Sequence, residues 1–252
     1  MTCDSCVKDI SNAVEKLGGI SKIEADLKEQ LVSIEGTAPP SAIVEAIQST
    51  GRDAILRGSG GSNSAAVSIL ETFYRPNESA SAVVSSIQDD DSNREVRGLA
   101  RMVQVSPTVT LVDLTLKGVA AGTYRATIRD YGDLKDGVTS TGSVWTGAAT
   151  GAAKDERDGT PRGFLGTVEI KEDGSGSIFL DKPFQVWEVI GHAFVVSRQE
   201  ESQGQPLQND EDTVVGVIAR SAGVWDNDKT VCSCTGKTLW EERKDEVKKG
   251  ML

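Results

Sequence analysis

Residues 109–133 read VTLVDLTLKGVAAGTYRATIRDYGD: two runs rich in Val, Leu, Thr and Ile, at 109–116 and 123–129, with a Gly-containing turn between them. Short runs of this kind, bounded by Gly or polar residues, are strand signals. The pattern continues at 66–74 and 96–105 upstream, and at 164–170, 176–180, 193–197 and 214–219 downstream, with no convincing long helix among them. Short strands with frequent turn signals predict an antiparallel β-sandwich or barrel over residues 65–222. The Asp89-Asp90-Asp91 run inside that block reads as a solvated loop.

Three other segments flank the block. Gly58-Ser59-Gly60-Gly61-Ser62-Asn63-Ser64 is a flexible linker by composition. Before it, residues 1–57 read as a small α/β unit. Val7, Ile10, Val14 and Leu17 step by 3, 4 and 3, one face of a helix that Gly18 and Gly19 stop. Strand-like stretches follow at 20–25 and 30–35. Pro39-Pro40-Ser41 opens a second helix with Ile43, Val44 and Ile47 as its stripe and Gly51 at its end, and 54–56 reads as a last strand. The order α-β-β-α-β is a ferredoxin-like βαββαβ unit lacking its first strand, so its sheet should be weak at an uncovered edge. A truncated reading frame and a true short form explain the missing strand equally well. Residues 223–252 form a tail, charged and helix-prone from Trp240 to Lys249.

Composition narrows the function. Asp and Glu number 38 against 27 Lys and Arg, a formal charge of −11 with no basic run, which argues against phosphate-tracking nucleic-acid binding. No apolar run approaches the ~18–20 residues of a membrane span, and no signal peptide is visible, so a soluble intracellular protein is expected. His192 is the single histidine, which excludes any centre built from several imidazoles.

The four cysteines fall in two tight pairs, Cys3 with Cys6 and Cys232 with Cys234. Close pairs in a reducing compartment point to metal or redox chemistry rather than a disulfide framework. Cys3 is expected in the loop entering the first helix and Cys6 in its first turn, where the helix dipole favours a thiolate over the free-cysteine pKa of ~8.5. Two soft thiolates on an exposed loop suit Cu(I). Two other readings stand beside this one. A thioredoxin-type motif would follow a strand and carry aromatic and Gly-Pro neighbours, absent here. A four-cysteine zinc site would hold both ends of the chain together through a cramped C-x-C chelate.

The three-part order resembles the copper chaperones for superoxide dismutase, fungal members in particular, over essentially the whole chain. Met1-Thr2-Cys3-Asp4-Ser5-Cys6 is similar to the M-x-C-x-x-C loop of small copper chaperones. Residues 122–133, Gly137 to Gly142, Ile190 to Val196 and Gly216 to Ala219 resemble Cu/Zn superoxide dismutase, and Val231 to Lys237 the family's C-x-C segment. The resemblance implies a multidomain α+β and all-β chain. Residues 1–57 would be a heavy-metal-associated copper-binding domain, 58–64 a linker, 65–222 a superoxide dismutase-like Greek-key β-sandwich for recognition, and 223–252 the C-x-C tail. It also implies departures from the enzyme. Thr127, Arg129 and Ser197 stand at copper-histidine positions, Val144 at the bridging histidine, Phe164 at the zinc aspartate, and Val138 and Val215 at the internal disulfide. These side chains hold neither metal, so dismutase activity is not expected, and His192 falls at a non-ligand position.

A sandwich that keeps its scaffold and loses its metals is expected to serve for recognition. By resemblance it offers a dismutase-type pairing face to one copper-free Cu/Zn superoxide dismutase subunit, forming a heterodimer, with a homodimer as the other assembly; Tyr131, Gly132, Gly216 to Ile218 and Arg220 to Trp225 are the candidate contacts. Cys3, Cys6, Cys232 and Cys234 are the candidate Cu(I) ligands. The 12 residues from Ala222 to Cys234 span ~20 Å typically and at most ~40 Å. The resemblance further implies that the tail helps install the target's disulfide; the expected location is the cytoplasm, with the mitochondrial intermembrane space as a second candidate. A thiol-disulfide oxidoreductase and a zinc-stabilised binding protein remain the alternative functions.

Overall fold

The structure is a computed structural model that describes residues 4–56, 58, 60–61, 63–74, 95–147, 155, 159–200, 206–223 and 236–248. Cys3, Cys232, Cys234, the Asp89–Asp91 run, and Val224 and Trp225 lie outside the described residues. Contacts divide the chain into two compact units, Met1–Ser59 and Gly60–Leu252.

In the first unit, helix α1 spans Asp4–Glu15 and buries Ile10 and Val14. Val7 is half-buried, and Leu17 falls past the helix end and is largely exposed. Strands β1 (Ile20–Asp26) and β2 (Leu31–Gly36) pair antiparallel. The Asp26 carboxylate closes their turn by accepting the backbone N–H groups of Lys28 (2.8 Å) and Glu29 (3.1 Å). Helix α2 (Pro40–Ser49) begins on Pro39-Pro40 and packs on α1. Gly51 terminates it, its N–H donating to the Gln48 carbonyl at 2.9 Å. The expected strand at 54–56 does not form: those residues are irregular, and the described sheet holds β1 and β2 alone. A strand exists only where a neighbouring backbone takes up its hydrogen bonds, and none of the described segments does so.

The second unit is one antiparallel sheet rolled on itself. Its strands are β3 (Ala65–Thr72), β4 (Val96–Ser106), β5 (Val109–Leu116), β6 (Gly122–Ile128), β7 (Phe164–Ile170), β8 (Gly176–Lys182), β9 (Ala193–Ser197), β10 (Val214–Val217) and β11 (Ala219–Arg220). The order is β7-β6-β9-β10-β3-β4-β5-β8, with β11 also on β3. The two end strands of that order, β7 and β8, are joined by a tight turn closed by Lys171 and Ser175, so the sheet curls until its edges meet at a turn. Strand neighbours that are distant in sequence, β5 with β8 and β3 with β10, give the Greek-key crossing.

Alternation builds the core. Val112, Leu114 and Leu116 of β5, Ala100 and Met102 of β4, and Tyr124, Ala126 and Ile128 of β6 all point inward. Strand β9 is buried on both faces. Phe194 and Val196 join the main core, while Ala193 and Val195 meet Val138, Leu207 and Val215 in a second cluster outside the barrel. Val138 and Val215, the expected disulfide positions, thus share a dry patch of methyl groups. The helices within this unit are short: a 3-10 turn at Gly137–Ser140 and α3 at Val186–Val189, with Gln185 and Glu188 forming a capping box. Nearer the C-terminus, α4 (Leu239–Lys248) starts on a second such box: Glu241 accepts the Thr238 N–H at 2.8 Å and Thr238 accepts the Glu241 N–H at 3.2 Å. No helix among the described residues is long and apolar enough to cross a membrane.

Candidate functional site

Cys6 lies in the first turn of α1 and is half-buried. Asp9, one turn later, accepts a hydrogen bond from Arg52 Nη2 at 2.9 Å. The guanidinium also bonds the Cys6 side chain, and these contacts raise the Arg52 pKa, Cys6 first and Asp9 second. The segment just past the second helix therefore brings a cation to the thiol end of the first, 46 positions along the chain from Cys6, which no spacing pattern announces. A cation beside a sulfur favours the thiolate, the form that binds soft metals and reacts with electrophiles. Arg52→Gln is expected to slow alkylation of Cys6 at neutral pH by about threefold with helix content unchanged, checked by timed iodoacetamide labelling and circular dichroism.

In the second unit, the positions expected to carry a dismutase's copper ligands do come together. Thr127, Arg129, Val144 and Ser197 line one pocket of about 20 Å³, room for roughly one water. None is a metal ligand of the required kind. Ser197 Oγ shares a hydrogen bond with Thr213 at 2.9 Å, and Thr127 Oγ1 faces the Val195 carbonyl at 3.5 Å. Phe164, at the zinc-aspartate position, stacks under Arg125, 5.3 Å from its ring centre. Neither the copper nor the zinc of a dismutase fits this donor set. His192 is structural: Nδ1 donates to the Arg129 carbonyl at 2.7 Å, and the ring leans on Trp145.

Buried ion pairs lie beside the loop before β7. Arg162 makes a forked pair with Glu188 at 2.9 and 3.0 Å, donates to the Pro183 carbonyl at 2.9 Å, and lies over Trp145. Lys182 faces Asp155 at 3.9 Å.

The candidate docking face carries an apolar strip. Tyr131 is 62 % exposed and Val217 37 %. Gly132 lets the chain run against its neighbour, since a Cβ there would sit 2.1 Å from the Gly191 carbonyl oxygen and 3.3 Å from Val217 Cγ1. Gly216 is as tight: its Cβ would meet the Ile69 carbonyl oxygen at 1.9 Å. Exposed Ile69 lies beside it on β3.

Comparison with known proteins agrees at both levels. Residues 1–53 match the heavy-metal-associated domain, and residues 96–222 match copper/zinc superoxide dismutase. Superoxide dismutase 1 copper chaperone of Saccharomyces cerevisiae is 41 % identical over 97 % of this chain and 92 % of that protein. The chain belongs to the superoxide dismutase copper chaperones. The Debaryomyces hansenii member is 41 % identical over 100 % of this chain and 94 % of that protein. The human copper chaperone for superoxide dismutase is 31 % identical over 96 % of this chain and 86 % of that one. A solved structure titled as an analysis of the clock protein EA4 covers 68 % of this chain and 99 % of its own, with a TM-score of 0.43 and 19 % identity.

Membership of this family makes the chain a copper chaperone rather than an enzyme, and its dismutase-like unit, stripped of ligands, a chaperone domain. The sequence reading placed the substituted ligand positions in one group, as the pocket shows. It missed Arg52, and it missed Arg162 with Glu188. The capping-box spacing Gln185-x-x-Glu188 was the one local signal for the latter.

Proposed function

We propose that this chaperone carries Cu(I) on Cys3 and Cys6, docks one copper-free Cu/Zn superoxide dismutase subunit as a heterodimer through the Tyr131–Val217 face, and completes delivery with Cys232 and Cys234. The observation that carries the reading is the contrast within the second unit. It keeps the barrel and an exposed apolar strip but fills the metal positions with Thr127, Arg129, Val144 and Ser197. Retained scaffold with lost chemistry is what a recognition module needs.

Cuprous ion accepts two thiolates, so Cys3 and Cys6 suffice as a carrier that releases its cargo to a better-furnished site. Docking makes the handover intramolecular, and tethered tail thiols then act at an effective concentration towards millimolar. For the target's disulfide, a tail thiolate attacks a sulfenic acid on a target cysteine, forming a mixed disulfide and releasing water. The target's second thiolate then displaces the tail thiol, which leaves reduced. Forming that sulfenic acid removes two electrons from the target cysteine, and a peroxide-class oxidant takes them up. On this reading 1–57 is the copper-binding domain, 58–64 the linker, 65–222 the docking domain and 223–252 the transfer tail. Closely spaced cysteine pairs suit the reducing cytoplasm, with the mitochondrial intermembrane space as a second site of action.

Val217→Glu places a charge in the apolar strip. It is expected to lower affinity for a copper-free dismutase subunit by about thirtyfold or more while leaving copper binding intact. Titration calorimetry checks this; unchanged affinity removes this face from the mechanism.

A further inference from the structure

Neither a metal nor a disulfide holds residues 129–144 in place: the ligand positions carry Thr127, Arg129 and Val144, and Val138 fills a disulfide position. Yet this segment carries Tyr131, the most exposed large side chain of the docking strip. Its backbone pairs with itself, Asp130 N–H donating to the Ser143 carbonyl and Tyr131 N–H to the Thr141 carbonyl, both at 2.9 Å. The intervening carbonyl, that of Gly142, accepts from the Arg129 side chain, from Nε at 3.1 Å and also from Nη2. Arg129 is 3 % exposed and lies in the pocket lined by Thr127, Val144 and Ser197. Its own carbonyl is held by His192 at 2.7 Å.

Gly142 couples this anchor to the surface. Its φ is +75°, and a Cβ there would sit 2.6 Å from Cδ2 of Tyr131, so the phenol ring rests on a bare Cα. A shift of Gly142 moves the ring. A guanidinium is permanently charged and presents its donors in a rigid fork, so one side chain can fix one carbonyl tightly at any physiological pH. Charge-assisted hydrogen bonds of this kind are shorter and stronger than neutral ones.

We propose that Arg129 is a positioning residue for docking: its buried guanidinium, seated among the vacated ligand positions, fixes the Gly142 carbonyl and so sets the platform that presents Tyr131 to the partner. The proposal rests on the docking reading above and adds the residue that makes the face rigid before the partner arrives. Pre-ordering matters because a face that must be ordered on contact binds more weakly than one already formed.

The test uses the full chain and a copper-free Cu/Zn superoxide dismutase subunit, with amide hydrogen exchange and titration calorimetry as paired readouts. Arg129→Met is expected to speed exchange over residues 130–143 by about tenfold and to weaken docking by about tenfold, with β4–β5 amides as protected as before. Arg129→Lys, which keeps the cation and one donor, is expected to restore part of both losses; a purely steric role predicts no such rescue. Docking by Arg129→Met within about twofold of the unaltered chain, or unchanged exchange over 130–143, overturns the proposal. If Arg129→Met also loses β4–β5 protection, Gly142→Ala decides: with Arg129 unaltered, its Cβ strains the turn at a φ of +75° and presses on the Tyr131 ring that the Arg129–Gly142 contact positions. A similar loss of affinity supports the proposal and an unchanged affinity overturns it. Failure of the unaltered chain to bind the subunit sinks the docking reading itself, a result distinct from normal docking by the Arg129 variants.

Discussion

Replacing Cys232 and Cys234 together by serine is expected to abolish activation of copper-free dismutase in a reconstituted assay while docking survives. Serine keeps the size and polarity of the tail but removes the soft ligand and the nucleophile at once. A hydroxyl neither holds Cu(I) nor forms a mixed disulfide. The proposed docking strip, Tyr131 and Val217, lies outside the tail, so affinity for the subunit should stay within about twofold, as expected for independent sites. Activity should fall by about a hundredfold or more, because the tail then offers no thiol at the high effective concentration that tethering gives. Full activation by the double variant would remove the tail from the mechanism and leave Cys3 and Cys6 as sole carriers.

The second large effect is on stability. Arg162 and Glu188 are about nine-tenths buried and form a forked pair, with Glu188 also accepting the Gln185 N–H at 2.8 Å. Arg162→Met leaves that carboxylate buried with its cation gone, which costs about 3–5 kcal/mol. For a unit of this size the melting midpoint should drop by about 10 °C, read by calorimetry. The double variant Arg162→Met with Glu188→Met removes the stranded charge. It should recover most of the loss, short by about 1 kcal/mol for the missing cap on α3. A midpoint for Arg162→Met within about 2 °C of the unaltered chain would show that the pair does not hold the loop before β7.

Local pattern carried most of the fold. The 3-4 spacing of Val7, Ile10 and Val14 marks α1, and the runs at 164–170 and 193–197 became strands with those very limits. Such signals work because each element's periodicity is written in consecutive residues. The stretch 54–56 misled because three apolar residues say nothing about whether a partner backbone lies alongside. The four-residue α3 escaped because one turn is too short to show a period. The resemblance located Thr127, Arg129, Val144 and Ser197 correctly as one group, which the pocket confirms. What Arg129 does there was not legible, since its acceptor, Gly142, is defined by a loop conformation. Arg52 beside Cys6 and Arg162 beside Glu188 were hidden for the same reason: the partners lie far apart in sequence and meet only after folding.

Everything turns on whether sulfur carries the ion. Anaerobic titration of the reduced full chain with Cu(I), with thiols counted at each step, measures this most directly. The account predicts bound copper with loss of titratable thiols, and a lower stoichiometry when Cys3 and Cys6 are both serine. Undiminished copper binding by that double variant, or none by the unaltered chain, would contradict it.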